Sequence, residues 1–197
     1  MDALPGFLIA AVALAGSPGP ATLSLAAAGA AFGARRGLAY LVGLELGMVA
    51  VMALVASGMV GLLLAIPGVA PAVALLAAIY FLWLAWRIAM APPLSEEGAS
   101  RVPPTMAAGL LLSLVNPKGY VAMAALYSGF TLLPGRLGAD VALKLALLTL
   151  VIAFVNVAWL LAGAALTRFF RDPRTNRVIN VAFALLLVGS VALAFAV

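Results

Sequence analysis

Apolar residues fill this chain in six long stretches, separated by short segments where glycine, proline and charged residues gather. A membrane-crossing helix needs about 20 mostly apolar residues. The stretches Leu4–Phe32, Leu38–Leu64, Val69–Met90, Met106–Leu132, Val141–Leu166 and Val178–Val197 all reach that length. The pattern predicts an all-α integral membrane protein with six transmembrane helices. The segments between them read as connectors. Gly33–Gly37 is a basic turn, Ile66–Gly68 a short uncharged one, and Pro92–Pro104 the longest polar stretch, with four prolines. Leu133–Arg136 and Arg168–Arg177 complete the set.

The polar linker 92–104 divides a single membrane domain into halves of about 1–91 and 105–197, with three spans each. Halves with an odd number of spans sit in opposite orientations, the plan of inverted-repeat transporters. One offset supports that plan: Ser17-Pro18-Gly19 lies 99 residues before Asn116-Pro117-Lys118, and the same offset relates Glu45 to Lys144 and Ser57 to Asn156.

Two stretches are interrupted near their centres. Gly16-Ser17-Pro18-Gly19-Pro20 breaks the first, and Asn116-Pro117-Lys118-Gly119 breaks the fourth. Proline removes a backbone donor and clashes with the preceding turn. Helices 1 and 4 are therefore expected to break at mid-depth, leaving carbonyls that only protein or a water-filled cavity can satisfy. Ser or Asn directly before Pro is also the cap and first position of a helix start. Each break thus reads as the beginning of a half-helix, whose free N–H groups and dipole favour a carboxylate or other anion. A single proline would indicate only a kink. Two clusters at matching depth, each with a capping residue and one with a lysine, favour a site formed by Ser17, Pro18, Gly19, Pro20, Asn116, Pro117, Lys118 and Gly119.

Composition fits a lipid solvent: 66% of residues are hydrophobic, 9% are charged, and mean hydropathy is +1.24. Soluble domains average about half apolar and about a quarter charged. The net charge of +5 could point to nucleic acid, but the basic residues are scattered between apolar stretches rather than grouped on a surface. Eight of them, including Arg35, Arg36 and Arg101, fall on the first, third and fifth connections, whereas the second and fourth hold Arg136. Cytoplasmic loops carry the excess of Lys and Arg, so both termini are expected outside. The first segment has no basic residue before it and reads as a retained helix rather than a signal peptide. The chain contains no histidine and no cysteine, which excludes disulfides, Ser-His-Asp and Cys-His catalysis, and the usual zinc ligand sets.

The charges inside apolar stretches then matter most. A cation at the bilayer centre costs about 2.5–3.5 kcal/mol or more, and Lys118 lies twelve residues into its segment. It reads either as a structural cation on carbonyls of the broken helix or as a counter-ion for a substrate carboxylate or for Glu45. Glu45 reads as a snorkelling or Arg-paired acid, or as a buried proton carrier. Lys144, nearer an end, is expected to snorkel. Asn156 and Ser57 are expected to hydrogen-bond between helices, and Trp83, Trp86 and Trp159 to serve as belt or packing residues.

These residues resemble a known family. The run SPGPATLSLAAAGAAFGARRGL is similar to the first-helix signature of the LysE/RhtB amino-acid exporters, GLELG at 43–47 to the second-helix segment, YFLWLAWRIAM at 80–90 to the end of the third helix, and LLLSLVNPKGYVAMAAL to the fourth-helix motif. The resemblance covers the whole chain, and the paired PGP and NPK motifs carry most of it. It implies export of amino acids or close derivatives from the bacterial cytoplasm across the inner membrane, driven by the proton-motive force. It also implies that Pro18, Gly19, Pro20, Asn116, Pro117 and Lys118 belong to the functional core. Many members have Asp or His where this chain has Met48, and often an acid where it has Asn156. Glu45, three residues before Met48 on the same helical face, is a candidate substitute.

The expectation is a six-helix secondary exporter of two inverted halves and not an enzyme. Glu45 and Asn156 would serve proton coupling or the substrate amine. No cofactor or metal is required. Partners are an amino acid, protons and the lipid bilayer, without nucleic acid, and a homodimer is left open. An intramembrane enzyme lacks its paired acids here. The alternative is an exporter of metal or other small cations, which calls for several acidic or soft ligands in the spans.

Overall fold

The computed structural model describes residues 3–90, 103–165 and 173–196. These form eight helices and no strand: α1 (Leu4–Gly16), α2 (Pro20–Ala56), α3 (Met59–Leu64), α4 (Val69–Ala89), α5 (Met106–Val115), α6 (Pro117–Gly129), α7 (Leu137–Ala165) and α8 (Pro173–Ala196). Residues 91–102, most of the linker expected to separate the halves, lie outside the described residues, as do Arg168 and Arg171 of the fifth connection.

Helix α2 contains the first basic turn. Gly33, with φ 78° and ψ 163°, takes a conformation that costs glycine little and other residues much. The Tyr40 hydroxyl donates to Ser24 Oγ at 2.9 Å. On a straight helix those residues would lie about 24 Å apart. The two arms therefore fold back into a hairpin, with Leu25, Ala28, Tyr40, Leu41 and Leu44 in a shared core.

Each arm crosses another helix at backbone contact. A Cβ added at Gly163 of α7 would lie 2.0 Å from the Ala26 carbonyl on the first arm. One added at Gly43 on the second arm would lie 2.0 Å from the Met106 carbonyl of α5. Lipid tails are as apolar as leucine, so helices in a bilayer associate through close packing, and small residues permit it. The outward faces remain apolar: Ile9, Val121, Leu150 and Phe154 are 68–71% exposed. Among the described residues, Pro20–Ala56 and Leu137–Ala165 are each long and apolar enough to cross a membrane. The pair α5 and α6, bent by 62° at Asn116, makes a third crossing if counted as one span. Helix α4 packs against α8.

The structure corrects three expectations, one about a helix and two about side chains. The stretch Leu38–Leu64 is not one helix: it ends at Ala56, and α3 resumes at Met59 after Gly58, whose φ is 74°. Ser57 makes no interhelical bond there. Its hydroxyl donates to the Leu54 carbonyl at 2.8 Å and accepts the Met59 N–H at 3.3 Å, so it closes the helix locally. Lys144 does not snorkel. It is 3% exposed, pairs with Asp140 at 2.6 Å, and donates to the Tyr127 and Phe130 carbonyls. Asp140 in turn accepts the N–H groups of Leu132 and Leu133 at 2.6 and 2.8 Å. The turn after α6 leaves backbone groups without helical partners, and this ion pair supplies them.

Candidate substrate site at the paired helix breaks

The end of α1 shows how the first break is tolerated. Ser17 Oγ donates to the Leu14 carbonyl at 2.9 Å, and Trp159 Nε1 on α7 donates to the Gly16 carbonyl at 3.3 Å. Lys118 Nζ donates to the Ser17 carbonyl at 2.6 Å and to the Pro18 carbonyl at 3.3 Å. Thr22 Oγ1 accepts the Gly19 N–H at 2.9 Å. Carbonyls freed by the prolines are thus met by side chains from two other helices, as an apolar surround demands.

These contacts refine the expected roles. The second half-helix starts at Pro20 with Gly19 as its cap residue. Ser17 stands at the C-cap of the preceding helix instead of capping the next, with its hydroxyl donating to the Leu14 carbonyl. Asn116 does stand at the cap position, with Pro117 first in α6. Its side chain bonds no N–H of that helix, however, and Oδ1 is buried without a hydrogen-bond partner. Lys118 is the cation on carbonyls, but those carbonyls belong to the other broken helix. It is not paired with Glu45. Glu45 Oε2 accepts from Asn156 Nδ2 at 3.1 Å, linking the second arm of α2 to α7, while Oε1 is buried without a partner.

The two breaks meet. A Cβ at Gly19 would lie 2.9 Å from Lys118 Cδ and Nζ, so the bare backbone of one break makes room for the lysine of the other. Beside this contact is a cavity of about 50 Å³. Gly19, Thr22, Ser113, Asn116, Lys118, Gly119 and Asn156 line it, together with apolar residues of α1, α2, α6 and α7. Of the residues expected at the site, Pro18 contributes its carbonyl to Lys118, and Pro20 and Pro117 begin the half-helices without lining the cavity. Glu45 reaches the lining through Asn156.

Trp159 was expected in a belt or packing role. Its place three residues after Asn156, on the same face of α7, was the available signal. The partner that makes it part of the break is 143 residues away.

A membrane-embedded chain in which two broken helices share a buried lysine beside a small cavity has the build of a transporter. Residues 12–197 match the LysE type translocator family, and the chain belongs to it. Cysteine/O-acetylserine efflux proteins of Escherichia coli strain K12, Shigella sonnei strain Ss046 and Shigella flexneri are 32% identical to it over 172 residues, 87% of this chain and 87% of each relative. No solved structure matches the chain. The protein is a membrane transporter and not an enzyme.

Proposed function

We propose that this translocator exports amino acids or close derivatives from the bacterial cytoplasm, driven by the proton-motive force. The observation that carries the reading is the junction of the two breaks, where Lys118 meets the Ser17 and Pro18 carbonyls beside a cavity. An ammonium has three donors, and Lys118 commits two of them to those carbonyls, leaving one for a substrate carboxylate. The start of α6 adds its N-terminal dipole. At the same cavity, Asn116 Oδ1 is an acceptor suited to a substrate ammonium. Glu45, with one free oxygen and a bond to Asn156, is the group placed to carry the proton or balance the amine. Efflux of cysteine and O-acetylserine is named for the relatives, and both are amino acids with an ammonium and a carboxylate.

In this reading the chain has six spans in two inverted halves, both termini outside, and the halves rock about the junction. The cavity supports an alternating cycle. Its volume is about a third of the roughly 150 Å³ that admits benzene, so loading an amino acid requires the lining to open.

The test is transport by the purified chain in liposomes under an imposed pH gradient. Wild type is expected to move at least one amino acid. Lys118→Met is expected to insert normally and move none. A folded wild type that moves no amino acid, or a Lys118→Met variant with full transport, refutes the reading.

A further inference from the structure

Much of the cavity wall is apolar. Met48 on the second arm of α2, Ala122 and Met123 on α6, and Ile152 and Val155 on α7 line it. Met48, Met123 and Ile152 are 2–7% exposed. Ser113 also lines the cavity, and its hydroxyl donates to the Leu44 carbonyl at 2.8 Å. Among the described residues, no charged side chain but Lys118 lines the cavity. A charged substrate side chain placed here would lose its hydration without gaining a partner, a costly exchange.

The cavity also has a size limit with an identifiable source. Met48 Sδ lies 3.2 Å from where a Cβ on Gly119 would stand. Gly119 directly follows Lys118, and both line the cavity together with Met48. The thioether packs against the side of Gly119 that carries no side chain. Methionine is flexible and adapts to irregular gaps, but its bulk still occupies space that alanine would leave open.

We propose that Met48, seated against Gly119, is the specificity-determining residue of this transporter, restricting it to amino acids with short, uncharged side chains. The inference rests on the amino-acid export reading above and adds to it which amino acids pass and what selects them.

Counterflow into liposomes measures it, using full-length wild type, Met48→Ala and Gly119→Ala. Each is assayed separately with labelled alanine, serine, valine, methionine, phenylalanine, lysine and glutamate. Wild type is expected to accept the short uncharged substrates and to reject lysine and glutamate. A single methylene in an apolar pocket is worth roughly 10-fold or more in discrimination. Met48→Ala is therefore expected to raise the rate for methionine or phenylalanine relative to alanine by about 10-fold or more. Gly119→Ala is expected to shift preference toward the smallest substrates. The same ranking in Met48→Ala as in wild type overturns the proposal, as does a wild type that prefers lysine or glutamate. If Met48→Ala fails to reconstitute, the ranking in Gly119→Ala decides in its place. A wild type that is folded and moves none of the seven overturns the export reading itself, and this inference with it.

Discussion

Gly163 offers the sharpest test of how packing holds the junction together. In Gly163→Ala the new Cβ would stand 2.0 Å from the Ala26 carbonyl oxygen, where ordinary contact begins at 3.4 Å. The three nearest atoms are all Ala26 backbone, so no side chain can swing aside. Helix α7 and the first arm of α2 must separate by about 1.4 Å along that contact. Helix α7 also bonds to Glu45 on the second arm of α2, through Asn156 at 3.1 Å, and to the Gly16 carbonyl of α1, through Trp159 at 3.3 Å. Overpacking of this kind costs about 1–3 kcal/mol. That is roughly 2–12 °C in the unfolding midpoint for a chain of this size. The assay is thermal unfolding in detergent, with transport measured in parallel. Gly138→Ala, with nothing within 4 Å of its added Cβ, is the control and is expected to match wild type. A Gly163→Ala variant within about 2 °C of wild type and fully active would refute the reasoning.

Three further outcomes are expected. Glu45→Gln should keep amino-acid counterflow but lose acceleration by a pH gradient; unaltered acceleration would remove Glu45 from the proton path. Breaking the Asp140–Lys144 pair singly, as Asp140→Asn or Lys144→Met, should destabilise more than changing both, because a buried charge left alone is worse than none; thermal unfolding of the three variants reads the order, and a double variant worse than either single contradicts it. A cysteine replacing Ser100 should react with an impermeant reagent only from the cytoplasm, and labelling from outside would reverse the topology.

The sequence made the breaks legible, because proline and glycine act on their own backbone wherever the chain goes. Membrane residence was equally plain from the length of the apolar stretches. What remained hidden depended on partners distant in sequence. Lys118 was recognised as costly at its depth, yet nothing local indicated that it would serve the carbonyls of Ser17 and Pro18, about a hundred residues earlier. Lys144 was read as snorkelling because its distance from the helix end allowed it. Its burial follows from Asp140 one turn before and from the open backbone of the turn after α6. The interruption at Ser57-Gly58 carried only a weak signal, since one glycine in an apolar run is compatible with either a helix or its end. The close crossings at Gly43 and Gly163 depend on which backbone each glycine meets, and nothing near them in sequence specifies that.

The central claim is that the two breaks form one substrate site, and the chain's lack of cysteine permits a direct measurement. Ala21 directly follows the start of α2 and Ala122 lies on α6, and both line the cavity. Cysteines introduced singly at these positions, and at the exposed Ala108 of α5 as control, would be labelled with a thiol reagent with and without a saturating transported amino acid. Protection at both 21 and 122, with none at 108, is the predicted result. Labelling at 21 and 122 that is indifferent to substrate would contradict it.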